Sequence, residues 1–248
     1  MSFPLPSIPC QTNQMKNITA TICLTIAVLL GSTGMSWSAD FQKGYAAYKS
    51  GDYATALREW TPLAKQGNAY AQYNLGMIYA TVNSLNDHKK AVKWLKLSSK
   101  QGNAKAQVIL GDLYDRGRGV AQNHKAAVKW YRRAAKQGHA PAQTSLAVMY
   151  GKGQGVRQDY KAAVKWYRLA AEQGYIAAQA SLGVMYGTGQ GVPQDNLYAH
   201  MWGDIAASSG NEGGRKLLDL MVNQMTPDQI GQAQQLAQRC IQKKFKGC

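Results

Sequence analysis

Acidic side chains are scarce in this sequence. Its three glutamates, Glu59, Glu172 and Glu212, lie far apart, and Asp and Glu together number 13 against 29 Lys and Arg, a formal net charge of +16. Paired carboxylates for general acid and base work would therefore have to be aspartates. Asp112 and Asp115, three apart, are a candidate pair, but that spacing equally suits two solvated side chains on one helix face. Long apolar runs are missing too: Ile18 to Leu30 covers 13 residues and is interrupted by threonines, short of the roughly 20 that cross a bilayer. Histidines number four. His88 and His124 fall at equivalent points of a repeat described below, with His139 in the next, and side chains one helix-packing distance apart, about 8–10 Å, are too distant to share a metal.

What is present at the start reads as an address. Lys16, the apolar run and then small residues through Ala39 have the order of a secretory leader, expected over residues 1–39. Met1 to Gln14 carries no charge and holds three prolines, so Met15 is the more natural start. Cleavage after Ala39 leaves Trp37 three positions before the cut, whereas cleavage after Ser38 places Ser36 there; both sites stay open. Ala-Thr-Ile before Cys23 does not resemble a lipoprotein signal. The expected mature chain is periplasmic or secreted, with no transmembrane segment.

Loss of the leader removes Cys10 and Cys23 and leaves Cys240 and Cys248, which an oxidising compartment would join. In a continuous helix they would sit about 12 Å apart, too far for a disulfide, so the chain is expected to fold back there, with Gly247 permitting it. Of the 29 Lys and Arg only Lys16 is lost, so the mature charge is still about +15. For an exported chain such a charge points to acidic proteins, anionic envelope polymers or lipid headgroups rather than nucleic acid, although a solvated helix face is the plainer reading.

One pattern then recurs in register. Trp60, Trp94, Trp130, Trp166 and Trp202 are spaced by 34, 36, 36 and 36, and Gly67, Gly102, Gly138, Gly174 and Gly210 by 35, 36, 36 and 36. Within one unit Ala106, Leu110 and Tyr114 form a stripe at helical spacing, Gly117 to Val120 breaks it, and Lys125 to Gln137 restarts a helix with Ala127, Trp130, Tyr131 and Ala134 on one side. A two-helix unit cannot bury its own stripe, so neighbours must stack into a solenoid with one continuous core. The glycines of Gly151 to Gly155 and Gly187 to Gly191 recur with the same period and end helices, which makes them turns and not a phosphate cradle. The strict periodicity of the aromatic residues likewise predicts core.

The run Ala-Gln-x-x-Leu-Gly-x-x-Tyr, then Gly-x-Gly-Val, then Lys-Ala-x-x-Trp-Tyr-x-x-Ala-Ala-x-Gln-Gly resembles the Sel1-like repeat, a relative of the tetratricopeptide repeat. The resemblance runs over about residues 41 to 210; the copy from Asn68 lacks the Gly-x-Gly-Val turn, and the copy from Phe41 has only Ser50-Gly51-Asp52 there. It implies an all-α, right-handed α-solenoid of about five hairpins over 40–210, followed by capping helices over 211–248. Thr226-Pro-Asp-Gln229 opens the last of these with a capping-box pattern. A helix followed by a cysteine pair also resembles the ends of secreted Sel1-like proteins.

By the same resemblance the first helices line the concave surface. Its non-repeating positions are Tyr70, Tyr73 and Met77; Lys105, Val108 and Asp112; Pro141, Thr144 and Val148; Ala177, Ala180 and Val184. The beginning of this groove is aromatic and polar, its end bland, so Tyr70, Tyr73 and Met77, followed by Lys105, Val108 and Asp112, are the expected protein-binding residues, with packing between repeats as the competing role. Lys125, Lys129, Arg132, Arg133, Lys161, Lys165 and Arg168 make a basic stripe on the convex side. The implied function is an adaptor that holds other proteins, in envelope regulation or host interaction. The alternative is a cell-wall or β-lactam hydrolase of the cysteine-rich Sel1-like type. With no Ser-x-x-Lys and no Lys-Thr-Gly, no catalytic residue is assigned, nor any metal or cofactor.

Overall fold

The structure, a computed structural model, describes residues 40–82 and 86–248, which form twelve helices and no strand. The leader expected over 1–39, with its start and cut site, lies outside the described residues.

Contacts divide the chain into two compact units, one ending at Gln66 and the other running from Gly67 to Cys248. In the first, α1 (40–49) and α2 (Tyr53–Lys65) make a hairpin across Ser50-Gly51-Asp52. Asp52 caps α2 by accepting from the Thr55 N–H. Trp60, fully buried, donates from its indole to the Phe41 carbonyl at 3.1 Å, and its ring lies against Phe41 and Tyr48. A side chain at Gly44 would enter that indole, because a Cβ there would stand 2.5 Å from it.

The second unit stacks four hairpins and a cap: α3 (Ala69–Thr81) with α4 (His88–Lys100), α5 (Ala104–Arg116) with α6 (His124–Lys136), α7 (Ala140–Lys152) with α8 (Tyr160–Ala171), and α9 (Ile176–Thr188) with α10 (Asn196–Ser208). The cap, α11 (Glu212–Val222) and α12 (Pro227–Gln242), packs on α10. The helices start where they do because Asn68, Asp87, Asn103, Asn123, Asp159, Asp195 and Asn211 each accept from the N–H three residues on. They are held together by apolar triplets at i, i+4 and i+7: Ala71, Leu75 and Ile78; Ala106, Leu110 and Leu113; Ala142, Leu146 and Met149; Ala178, Leu182 and Met185. The third buried member is thus Leu113, where the sequence pattern suggested Tyr114, which is half-buried. The tryptophans also differ. Trp202, on the helix covered by the cap, is 1% exposed, while Trp94, Trp130 and Trp166 are half-buried.

Two polar devices recur along the array. The first is the turn. Gly117, Gly153 and Gly189 end α5, α7 and α9 at φ +67°, and two residues on, Gly119, Gly155 and Gly191 (φ +71° to +78°) seat directly on the start of the preceding repeat's second helix. A Cβ at these second glycines would stand 2.3–2.4 Å from the carbonyl groups of His88, His124 and Tyr160. Gln122, Gln158 and Gln194 close the same turns by donating to the carbonyls of Asp115, Gly151 and Gly187.

The second device is a seam of buried glutamines. Gln107 donates to the Ser99 carbonyl of the preceding repeat and accepts from Gln137 at 2.9 Å; Gln143 donates to Ala135 and accepts from Gln173 at 2.8 Å. Gln101 donates to Gln72 in the same way, and Gln179 donates to Ala171. Gln107 and Gln143 each tie three helices, adding a second donor to the Ser99 and Ala135 carbonyls, which also accept from the Gly102 and Gly138 N–H groups.

At the far end Thr226 and Gln229 form a reciprocal capping box at the start of α12. Cys240 and Cys248 are joined, with Cα atoms 5.7 Å apart, and the intervening chain reverses through Lys244 and Phe245, both at positive φ. The Phe245 ring lies over Gly174, so the closed loop rests on the turn between α8 and α9. Replacing both cysteines, Cys240→Ala with Cys248→Ala, is expected to lower the unfolding free energy by about 2–3 kcal/mol, the loop-closure entropy of so short a ring. Denaturant titration of the oxidised parent against the double variant measures it.

Candidate functional site

First helices of neighbouring units touch, α3 against α5 and α9 against α11, as the second helix α10 touches α12 of the cap. The first helices make one layer of the stack, the one expected to be the inner face. Tyr70 projects from it 68% exposed and Lys105 is exposed beside it. Tyr73 is half-buried against the Leu95–Leu110 cluster, Val108 against the Tyr131–Leu146 cluster, and Met77 is half-buried with its sulfur 3.6 Å from the Thr81 hydroxyl. Asp112 is half-buried and accepts from the Tyr131 hydroxyl at 2.5 Å. Of the six expected groove residues, Tyr70 and Lys105 therefore present most of their side chains to solvent. The others divide theirs between the inner surface and the joints between repeats.

The far end of the same face is not bland. Val184 is 43% exposed, and the next position in register, one repeat on, is Leu220 of α11 at 60%. With half-buried Val148 before them, they make an aliphatic row at one residue per repeat, with Ala177 and Ala180 leaving the space beside it open. Leu220 was hidden in the sequence because the repeat pattern lapses after Gly210. The signal that recovers it is Asn211, which caps α11 as Asn103 caps α5.

The acidic candidates are each engaged separately. Burial raises the Asp112 carboxyl above the usual aspartate range, against the opposing pull of the Tyr131 hydrogen bond and of Arg116. Burial and the Asp112 charge push the Tyr131 phenol up in turn. Asp115 stands 2.7 Å from His124 Nδ1. Among the described residues no group of three or more His, Cys, Asp or Glu is arranged to hold a metal ion. Because the folded Asp112 binds its proton more tightly than the unfolded chain does, its contribution to stability falls as pH rises from the unfolded value through the folded one. Asp112→Asn keeps an acceptor for Tyr131 without the charge. It is expected to melt above the parent at about pH 7 and with it at about pH 3, as thermal unfolding at the two pH values will show.

On the outer layer, Lys125, Lys129, Arg133, Lys161, Lys165 and Arg168 are exposed and Arg132 is half-buried. Three of these cations have structural work. Arg132 donates to the Tyr150 hydroxyl at 3.1 Å and Arg168 to that of Tyr186 at 2.8 Å, each bridging to the next repeat, while Arg133 lies over the Trp130 ring at 4.8 Å. Beside α8 a cavity of about 350 Å³ opens between the helix and the next turn, lined by Lys161, Val164, Lys165, Arg168, Leu169, Glu172, Gly191 and Val192.

The Sel1 repeat model matches residues 69–103, 104–139, 140–175 and 176–211, more than half of the chain and one stretch for each hairpin from α3 to α10. The chain belongs to the Sel1 repeat family. The hairpin of α1 and α2 stands outside the four matched copies. Among solved structures, this Sel1 repeat protein is similar to a protective antigen present in uropathogenic Escherichia coli strains that displays an SLR fold (32% identity, TM-score 0.78), over 84% of this chain and 47% of that one. It thus spans about half of that relative's length. It is also similar to a Sel1 repeat protein from Oxalobacter formigenes (34% identity, TM-score 0.66, 72% and 74% of the two chains). A Sel1 repeat protein from Klebsiella pneumoniae shares the fold at 18% identity and a TM-score of 0.50, over 75% and 93%. Comparison with curated proteins returned no match. Sel1 repeats generally serve as protein-interaction scaffolds, typically without catalysis, and no helix among the described residues is long and apolar enough to cross a membrane.

Proposed function

We propose that this Sel1 repeat protein is an exported adaptor that holds a segment of another protein along the inner face of its first helices. The observation that carries the reading is the exposure of large apolar side chains in that layer: Tyr70 near its beginning, Val184 and Leu220 in register at its end. Isolated exposed apolar residues are ordinary, but a row at one residue per repeat presents a continuous strip to an extended or helical partner. Export rests on the leader pattern of residues 1–39. A role at the cell envelope or toward a host agrees with the similarity to an antigen of uropathogenic strains.

Crosslinking in the native envelope, with a photoreactive residue at Ala180, tests both parts. Capture of a defined protein by the processed chain, lost in the folded variants Val184→Asp/Leu220→Asp or Tyr70→Ala/Tyr73→Ala, is the expected result. Undiminished capture by both folded variants, or retention of the chain in the cytoplasm, would sink the reading. Turnover of nitrocefin or peptidoglycan by the purified protein would replace it with the hydrolase.

A further inference from the structure

The protein contains its own example of what covers the outer face. On α10 the outer side is occupied by α12: Met201 and Ile205, both 2% exposed, cluster with Ala237 and Cys240, and Leu236 packs alongside. In register with α10, the open helix α8 carries Lys161 where α10 has Leu197, Lys165 where it has Met201, Arg168 where it has Asp204 and Leu169 where it has Ile205. The floor is still apolar, since Val164 and Val192 line the cavity and Leu169 is 37% exposed. The rim has become cationic. Among the described residues Lys161, Lys165 and Arg168 have no carboxylate within 4.0 Å, and Glu172 is the one acid at the rim. A helix settling on α8 as α12 settles on α10 would therefore have to bring acids where α12 meets apolar side chains.

We propose that the outer face of α8, with the equivalent stripe Lys125, Lys129 and Arg132 of α6 beside it, docks an acidic amphipathic helix of a partner protein. The three cations of each stripe fall at i, i+4 and i+7, a line about 10 Å long that carboxylates at the same spacing on a second helix can follow. The apolar cavity between the cations and Val192 receives that helix's hydrophobic side chains. The floor is what selects a helix over a flexible polyanion. A polymer uses only the charges, whereas an amphipathic helix uses both charge and cavity.

The probes are a fluorescein-labelled 18-residue synthetic helix with Leu on one face and Glu on the other, poly-L-glutamate, and phosphatidylglycerol vesicles. Anisotropy at low and at physiological salt measures binding to the full chain. Saturable binding of the Glu/Leu helix is expected, with methyl NMR shifts at Leu169 and Val192. It should weaken about tenfold or more in Lys161→Glu/Lys165→Glu and again in Leu169→Asp. Among the described residues neither Lys161 nor Lys165 has an ion pair or side-chain hydrogen bond, so the first variant is expected to stay folded; Val184→Asp/Leu220→Asp on the inner face should bind like the parent, which separates this site from the proposed adaptor strip. No saturable binding of the helix at low salt overturns the proposal. So does binding that neither outer-face variant changes, or binding of vesicles or poly-L-glutamate as tight as that of the helix and indifferent to Leu169→Asp.

Discussion

Gly155→Ala is expected to lower the unfolding free energy by about 3–5 kcal/mol, far beyond an ordinary glycine substitution. Two effects add. At φ +71° an L side chain costs about 1–2 kcal/mol by itself. The new Cβ would also stand 2.4 Å from both the carbonyl carbon and oxygen of His124 and 2.7 Å from the Lys125 nitrogen, all backbone atoms of α6 that cannot rotate away. The turn has to lift off the preceding repeat, and in a linear array that breaks a joint between neighbours. Gly138→Ala is the control. Its φ is +84°, but no atom lies within 4 Å of where a Cβ would go, so only the conformational part, about 1–2 kcal/mol, should appear. Chemical denaturation of both variants gives the difference. Equal losses would mean that the turn does not bear on the previous repeat.

Gln143→Leu should cost about 1–3 kcal/mol despite being close in volume and more apolar. The residue is 4% exposed, donates to the Ala135 carbonyl at 3.2 Å and accepts from Gln173 at 2.8 Å. Leucine removes two side-chain hydrogen bonds from this seam, leaving the Ala135 carbonyl to the Gly138 N–H and the Gln173 amide to the Leu169 carbonyl, and each lost bond costs about 0.5–1.5 kcal/mol. Gln173→Leu alone should cost less, because Gln173 is exposed and water replaces its partner. A double-mutant cycle is expected to show a coupling of about 0.5–1.5 kcal/mol between the two. Additive losses would show that the seam is two separate bonds.

These two residues also show what could be read in advance. The repeat, its period and its helical hairpins follow from tryptophans and glycines at near-constant spacing, since only an array repeats a stop signal every 36 residues. The turn glycines could be placed, but not their neighbours: Gly155 is in contact with a residue 31 positions earlier, a pairing that depends on how repeats stack. Gln143 recurs in the motif as plainly as Leu146 does. Its role stays hidden because a polar residue beside an apolar stripe looks solvated until the helix ends around it are located.

The candidate faces were legible as lists of positions and less so as surfaces. The non-repeating residues of the first helices lie outside the buried triplets, yet Tyr73 and Val108 share their side chains with the joints between repeats. Sequence spacing reports the side of a helix, not how deep a neighbour presses into it. Arg132 and Arg168, which read as free charge, reach tyrosines 18 residues ahead.

The seating of each turn on the helix before it gives the array a built-in grammar for changing length. The units 104–139 and 140–175 offer the same pair of complementary ends, a glycine turn facing backward and a helix start that receives the next turn, and the glutamine seam joins both in the same way. Copying one stretch such as 140–175 therefore inserts a unit with a single new joint, between the two copies, built from the same kinds of contact as the joints on either side of it.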